Sequence, residues 1–297
     1  MSTTRFFQSR PRHRLWISLC VTTLGLAIGL LTIGVGQSMA APDQQGALHR
    51  IFITDVRDTQ FVVSWTTDTP SNGQVEWGTT TALGSITSDG VVSTTTHYVP
   101  ITGLIPGTPY YFQVRSGSLL DNNHGSYYTV TAGPTLGIPG SGGTVYGYVY
   151  QPGGTIPVSS TVVYLQLQDA DSLGSAGSSQ LVTARTDATG GWFYSNLNDI
   201  RTANAGAYFS FSDGTDRLSL FAQGGSNGTA GAVVSVPLTY PAPLANLVLN
   251  GTPNAVTMSN FTAASQPLTA SGPLILMAVL GAAGLVSWQV RRRSTRV

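Results

Sequence analysis

The amino-acid sequence predicts an all-β protein with two tandem antiparallel β-sandwiches, followed by one C-terminal transmembrane helix. Apolar residues recur at every second position in short segments such as Phe61, Val63 and Trp65, which is typical of strands that bury one face. Turn sequences rich in Gly, Pro, Asn and Asp separate these segments. An apolar segment with arginines on its outer flank lies at each end of the chain. The region between them is therefore expected to lie outside the cell.

The N-terminal segment has the pattern of an export signal. Four arginines within the first fourteen residues precede an apolar stretch from Leu15 to Val35, and Ser38-Met39-Ala40 supplies small residues for a signal peptidase. This pattern predicts a signal peptide over residues 1–40, cleaved before Ala41. Because the apolar stretch exceeds the usual ~7–15 residues, an uncleaved signal anchor is the alternative.

The C-terminal segment predicts a membrane anchor. Residues 272–290 contain the uncharged run Pro273–Val290, which is followed at once by Arg291, Arg292 and Arg293. A helix of this length reaches ~27 Å, close to the ~30 Å bilayer core, and the arginines place residues 291–297 in the cytoplasm. The layout resembles the sorting tails of prokaryotic surface proteins, but no LPxTG motif precedes it. Retention in the membrane is the simpler interpretation.

Charge and cysteine content exclude several classes of function. The chain has 14 basic and 13 acidic residues, and eight of the basic residues lie in the two terminal segments. The exported part therefore has six arginines against 13 acids, so nucleic acid is not an expected partner. Cys20, the single cysteine, falls within the predicted signal, so no disulfide is expected in the mature protein.

The first predicted domain covers residues 45–133. Its predicted strands are His49–Val56, Gln60–Thr66, Gly73–Gly78, Thr95–Thr102, Pro109–Ser116 and Ser126–Thr131. An L-x-P-x-T-x-Y-x-F-x-V pattern is formed by Leu104, Pro106, Thr108, Tyr110, Phe112 and Val114.

With Trp65, this pattern resembles a fibronectin type III domain, an immunoglobulin-like sandwich. The resemblance implies that Trp65 fills the space between the sheets and that the Tyr110 hydroxyl bonds to backbone at a corner. The segment Gln74–Thr79 (QVEWGT) also looks like the sandwich that precedes the catalytic domain of purple acid phosphatases. Since no metal-binding catalytic domain follows, this second resemblance implies no activity.

The second predicted domain covers residues 144–250, after a Gly/Pro linker over residues 134–143. Alternating strands around Val145 and Val163 precede the turn Thr186–Gly190 (TDATG) and an aromatic strand that contains Trp192. This order resembles the carboxypeptidase regulatory-like, or transthyretin-like, sandwich and implies that Trp192 is buried. The remaining predicted strands are Ala207–Ser212, Leu218–Ala222, Val233–Leu238 and Leu244–Leu249.

Possible catalytic or metal-binding motifs are weak, so no catalytic residue, cofactor or metal is expected. The histidines of the exported part, His49, His97 and His124, show no metal-ligand spacing. Gly224–Gly228 spells G-x-S-x-G but lacks the following histidine of a nucleophile elbow, and a Gly/Ser turn is favoured. Asp169–Gly174 begins like a calcium loop, but Gln180 stands where a glutamate should close it, so a polar loop is favoured.

Three tyrosines offer the best indication of binding. Tyr146, Tyr148 and Tyr150 fall on the strand face opposite Val145 and Val149, and an exposed aromatic row can stack on sugar rings or partner side chains. The alternative is that neighbouring residues cover these tyrosines, because tyrosine suits strands generally.

The sequence therefore favours a non-catalytic, membrane-anchored surface protein whose sandwiches serve as recognition, adhesion or spacer modules. Residues 251–271 are uncharged and rich in Thr, Ser and Ala, which predicts a flexible stalk. The partners expected are the membrane and a surface protein or glycan. The alternative is a carbohydrate-binding or enzyme-docking ectodomain that assists a separate hydrolase.

Overall fold

The computed structural model describes residues 48–252, and these residues form an all-β structure with two single-turn 3-10 helices. The all-β prediction is confirmed. The first eight strands are β1 (Leu48–Thr54), β2 (Gln60–Ser71), β3 (Gly73–Gly78), β4 (Ser85–Ser88), β5 (Thr94–Thr102), β6 (Pro109–Ser116), β7 (Leu119–Asp121) and β8 (Tyr128–Thr131). The next eight are β9 (Val145–Tyr150), β10 (Val162–Gln168), β11 (Val182–Arg185), β12 (Gly191–Tyr194), β13 (Arg217–Gln223), β14 (Thr229–Ser235), β15 (Ala242–Pro243) and β16 (Leu247–Val248).

Strands β1–β8 form an antiparallel sandwich. One sheet has the order β1-β2-β5, and the other has the order β4-β3-β6-β7 with β8 also paired to β6. Trp65 is 1% exposed between the sheets, where its indole N–H donates to Ser116 Oγ at 2.8 Å. Tyr110 is 3% exposed, and its hydroxyl accepts a hydrogen bond from the Ile105 backbone N–H at 2.9 Å. Both aromatic residues thus fill the core and satisfy their polar atoms.

Strands β9–β16 form a second pair of sheets. One sheet has the order β11-β10-β13-β14, and the other has β12-β9-β15 with β16 also paired to β9. The prediction of purely antiparallel pairing is wrong here, because the short strands β15 and β16 run parallel to β9. Trp192 is 3% exposed and lies against Gly147, where an added Cβ would be 3.1 Å from the indole.

Several strand predictions also need correction. Residues 207–212 do not form a strand; Tyr208 makes an isolated bridge to Arg201, and Phe209 is 2% exposed in the core. Four strands were missed, and each holds four residues or fewer: β4, β7, β11 and β15. Strands β4 and β7 also bury little of their surface, so their alternation is weak. The observed strands therefore differ from the predicted ones where a strand is short or where a loop buries apolar residues.

The largest correction concerns strand β2, whose alternation predicted one exposed face. Phe61, Val63 and Trp65 face the first core, but the alternate residues Ser64 and Thr66 are also buried, at 0% and 1% exposure. A second sandwich covers them. Within residues 48–252 the β1-β2-β5 sheet packs against the β10-β13 sheet through a cluster formed by Phe52, Val162, Tyr164 and Phe221.

Polar groups complete this contact between the sandwiches. Ser64 Oγ lies 2.8 Å from the Tyr164 hydroxyl, which donates to Gln223 Oε1 at 3.2 Å. Gln223 Nε2 in turn donates to Thr66 Oγ1 at 3.0 Å. Because these four buried side chains bond to one another, the desolvation of their polar groups is compensated.

A second part of the contact centres on Asp55, which adopts a positive φ of 51° and is 5% exposed. Its carboxylate accepts hydrogen bonds from the Thr183 hydroxyl and, at 3.3 Å, from the Thr183 N–H. Burial raises the pKa of Asp55 to about 6, although the hydrogen bonds and Arg57 oppose that shift. The ionised form is therefore costly at this position.

Two arginine pairs border the contact. Arg57 pairs with Asp199 at 3.1 Å, and Arg201 pairs with Asp58 at 3.3 Å. Arg201 also donates to the Pro134 carbonyl at 2.9 Å, so the predicted linker begins in contact with the second sandwich.

The predicted terminal segments lie outside the described residues: the signal peptide 1–40, the helix 272–290, the tail 291–297 and all but the first two residues of the stalk 251–271. Between residues 48 and 252, no helix is long and apolar enough to cross a membrane.

Candidate functional site

Tyr146, Tyr148 and Tyr150 lie on the outer face of strand β9. Tyr146 is 37% exposed and Tyr148 is 41% exposed, while Tyr150 is half-buried. Val145 and Val149 point the other way and are fully buried in the core of the second sandwich. The structure thus places the three tyrosines together on one surface.

Phe193 extends this surface, and the sequence analysis missed it. It lies opposite Tyr146 in the β9–β12 ladder and is 68% exposed. Trp192 and Tyr194 are buried at 3% and 7%, so the alternation of strand β12 leaves Phe193 pointing outward. The alternation of Trp192, Phe193 and Tyr194 in the sequence could have predicted that Phe193 is exposed. We call Tyr146, Tyr148, Tyr150 and Phe193 the aromatic face.

The outward surface of the aromatic face is called the platform below, and two of its rings lie next to each other. The Tyr148 and Tyr150 ring centroids are 6.2 Å apart, with an interplanar angle of 29°. Opposite Tyr148 the ladder has Gly191, where an added Cβ would be 3.4 Å from Tyr148 Cε1. The absence of a side chain at position 191 therefore leaves one edge of the Tyr148 ring open.

Asp187 borders the platform. Its Oδ1 accepts hydrogen bonds from the Thr189 hydroxyl at 2.7 Å, the Thr189 N–H at 2.8 Å and the Gly191 N–H at 3.0 Å. These bonds, led by the Thr189 hydroxyl, lower the pKa of this fully exposed carboxyl group. A Cβ at Gly191 would be 3.5 Å from Asp187 Oδ1, so the carboxylate and the Tyr148 ring border the same gap.

A buried histidine in the first sandwich resembles part of a hydrolase triad, a feature that sequence reasoning also missed. His97 Nδ1 lies 2.7 Å from Asp89 Oδ2, and Nε2 lies 3.2 Å from Thr67 Oγ1. A triad needs an accessible hydroxyl that its histidine can deprotonate. The Thr67 hydroxyl is buried and donates to the Thr69 carbonyl at 2.9 Å, so we assign this group a structural role.

The other histidines add no site. His124 is exposed in a turn and has a positive φ of 55°. The His49 side chain lies outside what the structure describes. The G-x-S-x-G string forms a 3-10 turn, Gly225–Asn227, that joins β13 to β14 rather than a strand-to-helix elbow.

Three aspartates approach one another in the second sandwich. Ligand atoms of Asp169, Asp171 and Asp216 lie within 4.8 Å of one another. Asp169 Oδ1 accepts the Ser172 N–H at 2.7 Å, and Asp216 Oδ1 accepts the Ala170 N–H at 2.7 Å. Backbone donors therefore account for the cluster. Gln180, the residue at the closing position of the calcium pattern, instead bonds to the backbone of Val56 across the contact between the sandwiches.

Comparison with known proteins gives one family match. Residues 49–131 match the family described as "Purple acid Phosphatase, N-terminal domain", which confirms that resemblance for less than a third of the 297-residue chain. The match is to the domain that precedes the catalytic domain. No curated protein sequence matches the chain significantly.

Solved structures give weaker similarities. "Structure of PhoD" is 15% identical with a TM-score of 0.27 and aligns over 37% of this chain and 24% of that one. Chicken CNTN1 FN1-FN3 domains are 12% identical with a TM-score of 0.22, over 69% and 66% of the two chains. The group B streptococcus pilus 2b backbone protein is 10% identical with a TM-score of 0.15, over 66% and 87%. The chain thus spans about a quarter of the PhoD structure. All three TM-scores are too low to carry an argument.

Proposed function

We propose that this chain is a non-catalytic, membrane-anchored surface protein in which two packed β-sandwiches present a recognition surface outside the cell. The observation that carries the proposal is the aromatic face, where Tyr146, Tyr148 and Phe193 are exposed and Tyr150 is half-buried, whereas the outer face of the β1-β2-β5 sheet is covered by the second sandwich. Large exposed apolar patches on soluble domains commonly mark interaction sites. The family match supports a non-catalytic role for the first sandwich, because it is to a domain that precedes a catalytic domain.

We also propose that the first sandwich is a fibronectin type III domain and that the second is a carboxypeptidase regulatory-like domain. The fibronectin type III pattern around Tyr110 and the regulatory-like pattern around Trp192 both describe sandwiches that serve as accessory modules. The turn that the second resemblance emphasises, Thr186–Gly190, here orients Asp187 beside the Tyr148 ring. In this interpretation a structural turn also forms the border of the recognition surface.

The contact between the sandwiches bears on the kind of module. Two domains joined only by a flexible linker would orient independently. Here the buried cluster around Tyr164 and the hydrogen bonds of Ser64 and Thr66 hold the two sandwiches in one orientation. The aromatic face is therefore fixed relative to the first sandwich. Freedom of orientation would come from the proposed stalk over residues 251–271, ahead of the anchor at 272–290 and the cytoplasmic tail at 291–297.

Protease treatment of intact cells tests the location. Protease added outside should remove the sandwiches, leave a cytoplasmic control protein intact, and act on a mature chain that begins at Ala41. A variant that lacks residues 274–290 should appear folded in the medium. Protection of the sandwiches from external protease, or a truncated protein that stays bound to membranes, would contradict the proposal.

A further inference from the structure

We propose that the aromatic face binds an uncharged polysaccharide, with the gap between Tyr148 and Asp187 as its central sugar position. This inference rests on the proposed function, since a glycan outside the cell can be reached only by an exported protein. It adds the chemical class of the ligand and the residues that select it.

The platform has the dimensions and chemistry of a surface for sugar rings. Side chains two positions apart on a strand are ~6.6–6.8 Å apart, and the Tyr148 and Tyr150 centroids are 6.2 Å apart, so successive rings can lie under successive pyranoses. The C–H groups on one side of a pyranose carry partial positive charge, and the face of an aromatic ring is negative. Stacking therefore suits this platform.

The tyrosine hydroxyls of the platform are available for hydrogen bonds. The Tyr164 and Tyr194 hydroxyls bond to other side chains within the fold. Those of Tyr146, Tyr148 and Tyr150 bond to none of residues 48–252. They can therefore donate to or accept from sugar hydroxyls at the edge of each stacked ring.

Asp187 supplies an oriented acceptor at the central position. Three donors hold its Oδ1, whereas Oδ2 accepts no hydrogen bond from the described residues. Because Gly191 leaves a gap bordered by both this carboxylate and the Tyr148 ring, one sugar can stack and donate a hydroxyl at the same time. Aromatic and polar groups that converge in this way fix the orientation of a ligand.

The charges near the platform determine the class of ligand. Strands β9, β12, β15 and β16 contain no charged residue, and Asp187 adds one negative charge at the border. A polyanion would meet this carboxylate without a compensating cation from those strands. An apolar protein surface or a second copy of this chain would displace the water that is hydrogen-bonded to the tyrosine hydroxyls and the carboxylate, and it would supply no new partners for them. An uncharged polysaccharide satisfies both requirements.

The test uses the full-length chain in mild detergent with three uncharged probes, mixed-linkage β-glucan, amylose and chitin, and one anionic probe, polygalacturonate. We expect retention on at least one uncharged probe and little change at high salt, because no ion pair is involved. Tyr148→Ala should weaken binding about tenfold, as expected for a lost stacking ring. Asp187→Ala and Gly191→Val should also weaken it, the latter by filling the gap while keeping every ring. Tyr111→Ala, a half-buried tyrosine in strand β6 of the first sandwich, is the matched control.

Binding to none of the three uncharged probes would overturn the inference, as would preference for polygalacturonate or equal losses of binding in Tyr148→Ala and Tyr111→Ala. Dimerisation that Tyr148→Ala abolishes would assign the face to a second copy instead. Each of these results leaves the proposed location intact, because protease treatment of cells tests that separately.

Discussion

Strands β2 and β9 each direct alternate residues away from their own sandwich core. The outer face of β2 is buried, whereas the outer face of β9 is largely exposed. On β2 the outer residues are small or polar, including Ser64 and Thr66, and the second sandwich covers them. On β9 they are tyrosines, and Tyr146 and Tyr148 remain exposed. The small residues allow two sheets to approach closely, whereas no other sheet formed by residues 48–252 covers the large rings. The difference separates a structural face from a face available for binding.

The largest expected effect compares two tyrosines that occupy these two faces. Tyr164→Ala should lower the free energy of unfolding by about 3–5 kcal/mol, because the ring is 1% exposed between Phe52 and Phe221 and its loss leaves a cavity. Tyr148→Ala removes the same atoms from the exposed platform and should change it by less than about 0.5 kcal/mol. Chemical denaturation of both variants measures the difference. Equal losses would mean that the two faces are not distinct.

A second prediction concerns Asp55 and pH. Its folded pKa is raised from 3.8 to about 6, so the stability it contributes is fully present below about pH 4 and is lost as the pH rises through 6. A shift of this size corresponds to about 3 kcal/mol at most. Asn tolerates the same positive φ and does not titrate, so Asp55→Asn should remove this pH dependence. Its stability relative to the wild type should therefore be greater at pH 8 than at pH 4.5.

The check is the difference in unfolding free energy between the wild type and Asp55→Asn, measured at pH 4.5 and pH 8. The position is buried in the contact between the sandwiches, so the difference reports on that contact. A difference that stays constant across this range would show that Asp55 is not buried as the structure places it.

A smaller effect is expected where only a hydrogen bond is lost. Ser64→Ala removes the partner at 2.8 Å from the Tyr164 hydroxyl, but that hydroxyl can still donate to Gln223. The expected loss is about 1 kcal/mol. In the double variant Ser64→Ala/Tyr164→Phe the two losses should be less than additive, as for groups in contact. Strict additivity would argue against the bond.

The sequence predicted much of the first sandwich because its alternation is long and its corner pattern is specific. Strands β3 and β6 have the predicted bounds, and Trp65 and Tyr110 are buried. The covered outer face of β2 was not predictable, since Ser64 and Thr66 suit solvent equally well and only the partner sheet decides their burial. The pairing of sheets that lie 100 residues apart in the chain leaves no local signal.

The candidate site was predicted in part for a related reason. The period of two placed Tyr146, Tyr148 and Tyr150 on one face, but only the register of β12 against β9 brings Phe193 beside Tyr146. Similarly, the calcium-like motif at Asp169 does not predict that Asp216, which lies in a separate turn, is within 4.8 Å of the motif's aspartates. Register and turn geometry supply the contacts that spacing alone cannot.

The most direct test of the central claim measures stability and binding on the same variant, Tyr148→Ala. The full-length variant should unfold within about 0.5 kcal/mol of the wild type and yet be retained about tenfold less on the uncharged polysaccharide that the wild type binds. Tyr164→Ala, assayed where it is still folded, should show the reverse: lower stability with retention unchanged. A Tyr148→Ala variant that loses several kcal/mol of stability, or that binds as the wild type does, would contradict the assignment of this face to recognition.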